Sequence, residues 1–373
     1  MDIADFRLER FFARWEFAAP HNLCASDVLG VPMGELLALA DDDARERWDA
    51  LSLGYTEAPG LPELRREIAG LYEGLGPEHV HTFSGAEEAI FVLMHALLAP
   101  GDHVVAVWPS YQALYEVARA IGAEVTLLEL RQEDGWRLDL DAYREALRPT
   151  TKLVILNEPH SPTGALLGRE DFDRMSRLAA EVGARFFVDE VYRFLEYEER
   201  DRLPAGAEVG EHGISLGVMS KAFGLAGLRI GWLASPDTDL LARCARIKDY
   251  TTICNSAPSE VLALIGLRAR DRLLERALGI VRPNRALFEA FFAEHADAFD
   301  WVPPSAGSVG FPRLRLDVPV DRFVDDLVVA EGVLLLPGTV FEHPGNHVRV
   351  GLGRPGIGEG LERLARFLAG FGG

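Results

Sequence analysis

Lysine is rare in this sequence, and one lysine stands where a reactive amine would be useful. The chain contains Lys152, Lys221 and Lys248 among 38 basic residues, so arginine supplies nearly all of its positive charge. Lys221 lies in MSKAFGLAGLRIGW, after an apolar run and at the start of a glycine-rich turn. A lysine amine forms an imine with a carbonyl compound once its pKa is lowered, whereas a guanidinium cannot. Lys221 is therefore a candidate nucleophile, although an ordinary surface lysine also explains its position.

A carboxylate at the end of an apolar run is the second candidate. The segment RFFVDEVYR places Asp189 after a predicted buried strand, and Tyr192 follows three residues later. A buried carboxylate is costly unless a cation pairs with it, and the protonated nitrogen of a pyridine-type cofactor is such a cation. The alternative for Asp189 is an ordinary N-cap of the next helix, and the segment alone does not separate the two.

The segment HTFSGAEEAIFVL predicts a binding corner for an anion. It has the pattern of a strand, a turn at 84–86 and a helix. Free backbone N–H groups and the helix dipole bind phosphate at such corners, although a plain strand–helix turn looks the same. Arg229, eight residues after Lys221, could add the positive charge that an anion needs, or form a surface ion pair instead.

Apolar strands and helices alternate around these residues. The pattern predicts helices at 112–122 and 170–182, and strands at 103–108, 152–157, 185–190, 214–220 and 228–234. Such alternation indicates an α/β fold with a mostly parallel sheet that is buried on both faces. Ligands of these sheets bind outside the carboxyl ends of the strands, where Asp189 and Lys221 are expected.

A smaller α+β unit is predicted after the sheet. A helical stretch at 257–297 contains only Pro283 as an interruption, and the later elements are short strands at 308–316, 333–338 and 347–352 and a helix at 357–370. We expect three parts: an N-terminal arm at 1–50 that contributes to the small domain, a large domain at 51–270 and a small C-terminal domain at 271–373. Nothing resembles a low-complexity linker, so we expect the domains to pack together.

Composition and charge limit the partners. The net charge of −20 over 373 residues predicts a surface that repels nucleic acid. The cysteines have no CxxC spacing, and neither a signal sequence nor an apolar run of membrane-spanning length is visible. We therefore expect a cytoplasmic protein with reduced thiols and no membrane partner. The histidines lack metal-binding spacing, and GLGRPG (351–356) lacks the βαβ context of a dinucleotide motif, so no metal or dinucleotide is expected.

In combination, these residues resemble the class I/II aminotransferases, which use pyridoxal 5′-phosphate (PLP). That family has an Asx-x-x-Tyr pair before the cofactor lysine and an arginine eight positions after it. NEPHSPTG (157–164) is similar to the family's N-x-P-x-N-P-T-G, and WPSYQALY (108–115) is similar to its P-x-Y segment. The residues that match the first pattern here are Asp189, Tyr192, Lys221 and Arg229.

The resemblance implies a PLP-dependent transferase of fold type I and a role for each matching residue. Lys221 would hold PLP as a Schiff base and act as the base, Asp189 would keep the ring nitrogen protonated, and Tyr192 would donate to the phenolic oxygen. Tyr111 would stack on the ring. Independently of the resemblance, Glu87 and Glu88 suit a helix N-terminus, but their side chains would have to point away from any phosphate bound at the turn 84–86. The other implied cofactor contacts are Gly85, Ala86, Glu87, Ser161, Ser220 and Arg229.

Two further matches concern partners, and two positions depart from the family. Tyr55 matches a tyrosine that reaches the phosphate of the neighbouring subunit, which implies a homodimer. Arg349 matches the arginine that binds the substrate α-carboxylate, so an L-amino acid and a 2-oxo acid are the expected substrates. Ser161 replaces the usual asparagine before Pro-Thr-Gly, and Val218 replaces a common phosphate-binding serine.

Three functions follow as alternatives, with an aminotransferase first. SKAFGLAGLRIGW, RIKDYTT and GVLLLPGTVF are similar to segments of capreomycidine-synthase-like cyclases, so elimination, replacement or cyclisation of an amino acid is the second. Glu16 and the arm at 19–24 would line the pocket, where an acid suits a basic substrate, unless Glu16 forms a surface salt bridge. A non-catalytic sensor is the third, and its DNA-binding domain would not fit in the roughly fifty residues before Tyr55.

Overall fold

The computed structural model describes residues 2–371. Its strands are β1 (His21–Asn22), β2 (Val80–Phe83), β3 (His103–Trp108), β4 (Glu124–Glu129), β5 (Thr151–Asn157), β6 (Arg185–Asp189), β7 (Gly213–Val218), β8 (Gly231–Ala234), β9 (Phe299–Asp300), β10 (Val309–Gly310), β11 (Arg313–Leu314), β12 (Val333–Leu334), β13 (Leu336–Pro337) and β14 (Val348–Gly351).

The helices of the same residues lie mostly between the strands of the first half and around those of the second. They are α1 (Arg7–Trp15), α2 (Met33–Ala38), α3 (Asp42–Asp49), α4 (Pro62–Ala69), α5 (Ala86–Leu97), α6 (Ala113–Ile121), α7 (Leu140–Ala146), α8 (Arg169–Glu181), α9 (Thr238–Lys248), α10 (Ala257–Arg268), α11 (Arg270–Glu294), α12 (Val320–Glu331) and α13 (Ile357–Phe371). Within residues 2–371, no helix combines the length and the apolar character that a membrane crossing requires.

A seven-stranded sheet forms the centre of the fold, in the order β2-β8-β7-β6-β5-β3-β4. The strands from β7 to β4 are parallel to their neighbours, and β8 is antiparallel to both β2 and β7. All residues of β2, β3, β7 and β8 are buried, because helices cover both faces of the sheet. The predicted α/β fold with a mostly parallel sheet is confirmed.

Two separate layers of helices make the core on either side of this sheet. On one face, α5, α6 and α9 bury residues such as Leu93 and Leu241 against Phe187. On the other face, α8 buries Phe172 against Phe186. Each of these side chains contributes roughly 1.5–3 kcal/mol by leaving water. The sheet is therefore a rigid platform, and the positions at its carboxyl edge are well defined.

The remaining strands are short and lie outside the central sheet. In the N-terminal arm, β1 pairs in parallel with β12, and His21 stands opposite Val333. Further along the chain, β14 lies between β10 and β13, and β9 pairs with β11. The predicted strands at 308–316 and 333–338 are each divided into two short ones. The arm thus shares β-structure with the C-terminal part of the chain.

The long helical stretch differs from its prediction. The helix is broken at Ala269, between α10 and α11, whereas Pro283 lies inside α11. A proline removes one backbone hydrogen bond of a helix. Here α11 continues through it because an apolar face, which includes Val281 and Phe288, is buried in the core.

The strands next to Lys221 are shorter than predicted. β7 ends at Val218 instead of residue 220, and β8 begins at Gly231 instead of residue 228. A 3₁₀ turn occupies Ala226–Leu228, and Arg229 adopts a left-handed φ of 53°, which prevents strand pairing there. Lys221 lies in the turn after the strand, as predicted, but three residues beyond the end of β7 instead of one.

Glu190 is a buried carboxyl group at the carboxyl edge of β6. Its Oε1 atom accepts a hydrogen bond of 2.6 Å from the backbone N–H of Gly206. Burial raises the pKa of Glu190 from 4.5 to about 7, against the opposing effect of Arg193. Because the pKa is higher in the folded than in the unfolded chain, stability is lost as the pH rises from about 4.5 to about 7.

We compare the free energy of unfolding of Glu190→Gln with that of the unmodified protein at two pH values. We expect the difference to favour the variant by up to about 3 kcal/mol more at pH 8 than at pH 4.5, because glutamine stays neutral. Denaturant titrations at the two pH values measure this difference. The exposed Glu211→Gln is the matched control and should give no comparable pH-dependent gain. An effect of Glu190→Gln that is the same at both pH values would contradict the argument.

Candidate active site

A cavity of about 410 Å³ lies at the carboxyl edge of the central sheet, beneath the N-terminal arm. Ten of the residues that were predicted to form a site line it. They are Ala86, Glu87, Tyr111, Ser161, Asp189, Tyr192, Ser220, Lys221, Arg229 and Arg349. Gly85 contacts Arg229 at the margin of the cavity, and Tyr55 lies away from it.

Lys221 points into this cavity from the turn after β7. Its Nζ atom donates a hydrogen bond of 2.8 Å to Oγ of Ser26, a residue of the N-terminal arm. Burial lowers the pKa of Lys221, while the carboxylates of Asp27 and Asp189 oppose that change. A lowered pKa increases the fraction of neutral amine, which is the form that acts as a nucleophile or a base.

Asp189 lies at the end of β6 and is 3% exposed. Its Oδ1 atom accepts one hydrogen bond, of 3.2 Å, from the backbone N–H of Val191. Burial raises the pKa of Asp189 to about 7, whereas that hydrogen bond and Lys221 lower it. Asp189 forms no ion pair with any of residues 2–371, so a cationic group in the cavity would stabilise its ionised form.

Asn157 is a site residue that the sequence analysis did not single out. At the end of β5, its Nδ2 atom donates a hydrogen bond of 2.9 Å to the backbone oxygen of Asp189, and its Oδ1 atom accepts one of 2.6 Å from the N–H of Ser161. It therefore connects the motif around Ser161 to the strand that carries Asp189. The signal was its position as the first residue of NEPHSPTG.

Tyr192 is buried beside the same group of residues. Its hydroxyl donates a hydrogen bond of 2.9 Å to the backbone oxygen of Ser26. Burial raises the pKa of Tyr192 to about 12, and hydrogen bonding with Ser26 and Ser161 opposes that change. The hydroxyl therefore stays protonated at neutral pH, and Ser161 is close enough to share it.

The predicted anion corner has the required backbone shape. Gly85 has a φ of 95°, and a Cβ atom at this position would lie 2.6 Å from Nη2 of Arg229. α5 starts at Ala86, so its first N–H groups lie beside this guanidinium. A glycine is required because a side chain would displace the arginine. The corner fits a phosphate group.

The two glutamates after this turn point in different directions. Glu88 turns away from the cavity, where its carboxylate accepts a hydrogen bond of 2.6 Å from the N–H of Ser84 and one of 2.8 Å from the hydroxyl of Thr252. Glu87 lines the cavity and is hydrogen-bonded to Tyr111. The Glu88 side chain thus points away from the cavity, whereas the Glu87 side chain lies inside it and is directed to Tyr111.

Arg349 lies on β14, is 2% exposed and faces the cavity. Nε and Nη2 donate to the backbone oxygen of Cys24 at 3.2 and 2.8 Å. The guanidinium carbon lies 5.7 Å from the ring centre of Phe12 and 5.8 Å from that of Phe341. No carboxylate within residues 2–371 forms an ion pair with Arg349. A buried guanidinium of this kind fits an anionic ligand.

The N-terminal arm supplies a larger part of the cavity than was predicted. Glu16, which was expected there, lines the cavity together with Glu9 and Phe12 from α1 and Ser26 and Asp27 from the following segment. Sequence reasoning missed four of these five residues because arms have no repeating pattern that indicates which side chains face a ligand. The charge pattern of α1 gave no signal either, because this helix carries three arginines and one glutamate.

Tyr55 lies on the surface of the chain, with 92% of the residue exposed. It does not line the cavity of its own chain. Leu53 and Tyr250 are also strongly exposed nearby, and the hydroxyl of Thr56 joins their two segments by donating a hydrogen bond of 3.1 Å to the backbone oxygen of Asn255. The exposed face is available for a contact with another molecule.

Comparison with known proteins gives one consistent family. Residues 22–365 match the model of the aminotransferase class I and II family. The chain is 32% identical to capreomycidine synthase from Streptomyces vinaceus, over 97% of this chain and 93% of that protein. A PLP-dependent aminotransferase from Streptococcus suis has a TM-score of 0.93 at 32% identity, covering 100% of this chain and 99% of its own. The PLP-dependent cyclase OrfR has a TM-score of 0.90 at 30% identity, covering 99% and 98%.

The cavity residues fit the cofactor of this family. Asp189 offers an unpaired buried carboxylate to a ring nitrogen, Lys221 offers an amine, and the turn at Gly85 with Arg229 offers a phosphate site. When bound, PLP supplies an electron-withdrawing ring that stabilises negative charge on the α-carbon of an amino acid. The chain belongs to the class I and II aminotransferase family, is a PLP-dependent enzyme of fold type I, and has PLP as its cofactor.

Proposed function

We propose that this protein transfers the amino group of an L-amino acid with a cationic side chain to a 2-oxo acid. One observation carries the proposal, namely the unpaired charges of the cavity. Among residues 2–371, Arg349 forms no ion pair with an acid, and Glu9 and Glu16 form none with a base. An amino acid with a cationic side chain has a carboxylate for Arg349 and a cation for the two glutamates.

The two glutamates lie on one side of the first helix. Glu9 belongs to α1 and Glu16 is its C-cap, seven positions later, so their side chains lie on one face about two turns apart. Burial and the nearby carboxylates of Asp27 and Glu9 raise the pKa of Glu16. Asp27 itself is paired with Arg354 at 3.0 Å. A substrate cation would therefore stabilise the ionised form of Glu16, against the effects of burial and of the neighbouring carboxylates.

Each residue has a role in this reaction. Arg349 binds the α-carboxylate and thereby holds the α-carbon near Lys221. Nζ of Lys221, whose pKa is lowered by burial, takes up the proton of the α-carbon and returns it. Asp189 holds the proton of the ring nitrogen, and Phe12 of the arm adds an apolar wall to the cavity.

A second candidate function is elimination or cyclisation of the same kind of amino acid. It is favoured by the similarity to capreomycidine synthase and to the cyclase OrfR, each over nearly the whole chain. Ser161, in place of the family's asparagine, supports it as well, because a shorter hydroxyl changes the hydrogen bonding next to Tyr192. The acidic cavity suits both candidates, so only the products separate them.

Product analysis is the first test. We give the holoenzyme L-arginine or L-lysine as the amino donor and pyruvate or 2-oxoglutarate as the acceptor. We expect it to form L-alanine or L-glutamate from the acceptor and an equal amount of the 2-oxo acid that derives from the donor. Lys221→Arg, which keeps the charge but cannot act as the base, should lower the rate on the order of 10²–10⁴-fold. Release of ammonia or a cyclic product, without a new amino acid, would select the second candidate. Turnover of L-glutamate but of no cationic donor would contradict the assigned substrate class.

A second test examines the acidic side of the cavity. We expect Glu16→Gln to lower kcat/KM for the cationic donor by about tenfold, which corresponds to one charge-assisted hydrogen bond of about 1.4 kcal/mol. Glu9→Gln should have a smaller effect because Glu9 is more exposed. The exposed Glu46→Gln on α3 is the matched control. An equal loss with an uncharged donor such as L-alanine would show that the substitution does not act through the substrate cation.

We also propose that the protein is a homodimer in which Tyr55 reaches the phosphate site of the neighbouring subunit. The exposed aromatic and apolar side chains of Leu53, Tyr55 and Tyr250 support this contact. A tyrosine hydroxyl could there donate to the phosphate, beside Arg229 of the other subunit.

Sedimentation analysis should give twice the mass of 41.1 kDa. We expect Tyr55→Phe to raise the PLP dissociation constant by about five- to tenfold without changing the mass, since one hydrogen bond to an anion is lost. Tyr250→Phe, a change at an equally exposed neighbouring tyrosine, is the control. A monomer that binds PLP normally would refute the dimer, and normal PLP affinity in a dimer of Tyr55→Phe would refute the role of the hydroxyl.

A further inference from the structure

Ser26, in the segment that follows β1, contacts the catalytic lysine directly. We propose that the Ser26 hydroxyl is a positioning residue that holds the free amino group of Lys221 and controls its readiness to attack the cofactor and to accept a proton. The assignment rests on the proposed function only for the proton transfer. It concerns a residue for which neither the family motifs nor the cofactor fit requires a hydroxyl.

The hydrogen bonds around Ser26 separate its side chain from its backbone. The backbone oxygen of Ser26 accepts two hydrogen bonds, one of 2.9 Å from the hydroxyl of Tyr192 and one of 2.8 Å from the hydroxyl of Ser308. These contacts fix the arm and are available to any residue at position 26. The Oγ atom, in contrast, accepts a hydrogen bond of 2.8 Å from Nζ of Lys221. The Ser26 side chain therefore contacts Lys221, whereas its backbone oxygen contacts Tyr192 and Ser308.

This contact has a predictable effect on the protonation of Lys221. A hydroxyl oxygen accepts from both the ammonium and the amine, but the charge-assisted bond to the ammonium is about twice as strong. Ser26 therefore stabilises the protonated form and raises the pH at which the neutral amine appears. It also holds Nζ on the side of the arm, so that the nitrogen is oriented before it reacts.

Charged groups from several surrounding elements act on the same nitrogen. Asp27 from the arm, Asp189 from β6 and Glu9 from α1 favour the ammonium, and Arg349 from β14 opposes it. Glu16, beyond the end of α1, interacts electrostatically with Lys221 as well. Burial has the largest effect and lowers the pKa of Lys221. The Ser26 hydroxyl is the uncharged group in this set, so replacing it leaves the net charge of the cavity unchanged.

The capture of PLP by full-length apoenzyme tests the proposal. The neutral Nζ adds to the aldehyde carbon of PLP, a C=N bond forms and water leaves, which is followed by the absorbance of the bound cofactor. The rate is measured from pH 6 to 10. We expect the midpoint of this pH profile to move down by about half to one unit in Ser26→Ala, because the ammonium loses a charge-assisted bond. The ionisation of free PLP affects the rate in the same way for both proteins, so it does not contribute to the difference between their midpoints.

Two further variants make the test decisive. Ser26→Gly also removes the hydroxyl and should give the same downward shift, which covers the case that Ser26→Ala does not fold. Ser26→Thr keeps the hydroxyl and should restore the midpoint of the unmodified protein. Unchanged midpoints in folded Ser26→Ala or Ser26→Gly, or an equal shift in Ser26→Thr, would overturn the proposal.

The assay also separates this inference from the proposed function. PLP capture needs neither an amino donor nor a 2-oxo acid, so a failure of transamination leaves its result intact. If transamination is found, the acidic limb of kcat should move in the same direction in Ser26→Ala, while KM for the donor changes little, because Ser26 acts on the base and not on the substrate carboxylate. A change confined to KM would assign Ser26 to substrate binding instead.

Discussion

The active site depends on two ionisable groups, the buried Asp189 and the partly buried Lys221, at the carboxyl edge of an apolar sheet. Removal from water raises the pKa of the acid and lowers the pKa of the amine, so a single cause moves both groups towards neutrality. Each also favours the charged form of the other. The apolar layers on both faces of the sheet provide the free energy that offsets this unfavourable burial. The reactivity of Asp189 and Lys221 therefore depends on the apolar packing of the helices against the sheet.

The large sheet and its edge were predictable because their signals are local. Apolar runs of strand length identify β3, β5 and β6, and the ends of those runs place Asp189 and the turn with Lys221 on one edge. Errors arose where tertiary packing outweighs local preference. Pro283 should end a helix, but burial of the neighbouring apolar face keeps α11 intact, and the break at Ala269 has no comparable signal.

The arm shows the limit of sequence reasoning more clearly. The resemblance located most residues that line the cavity on the sheet side, because short motifs carry them. The arm contacts run over long distances in the chain, from Ser26 to Lys221 and from Cys24 to Arg349, and no spacing rule relates such pairs. Glu9 and Glu16 were visible as charges, but the turn of the helix decides that they share a face with Phe12.

The scarcity of lysine has a chemical consequence beyond catalysis. Lys248 is buried and donates to the backbone oxygen of Ala58 at 3.0 Å, which leaves Lys152 as the exposed lysine and Lys221 as the partly buried one. Arginine, which does not react with aldehydes under mild conditions, carries the remaining positive charge. An aldehyde in solution thus meets two accessible lysines with different surroundings, one on the surface and one in an acid-lined cavity. The protein's own composition makes Lys221 selectively addressable, and leaves Lys152 as a natural point for attaching a label or a support.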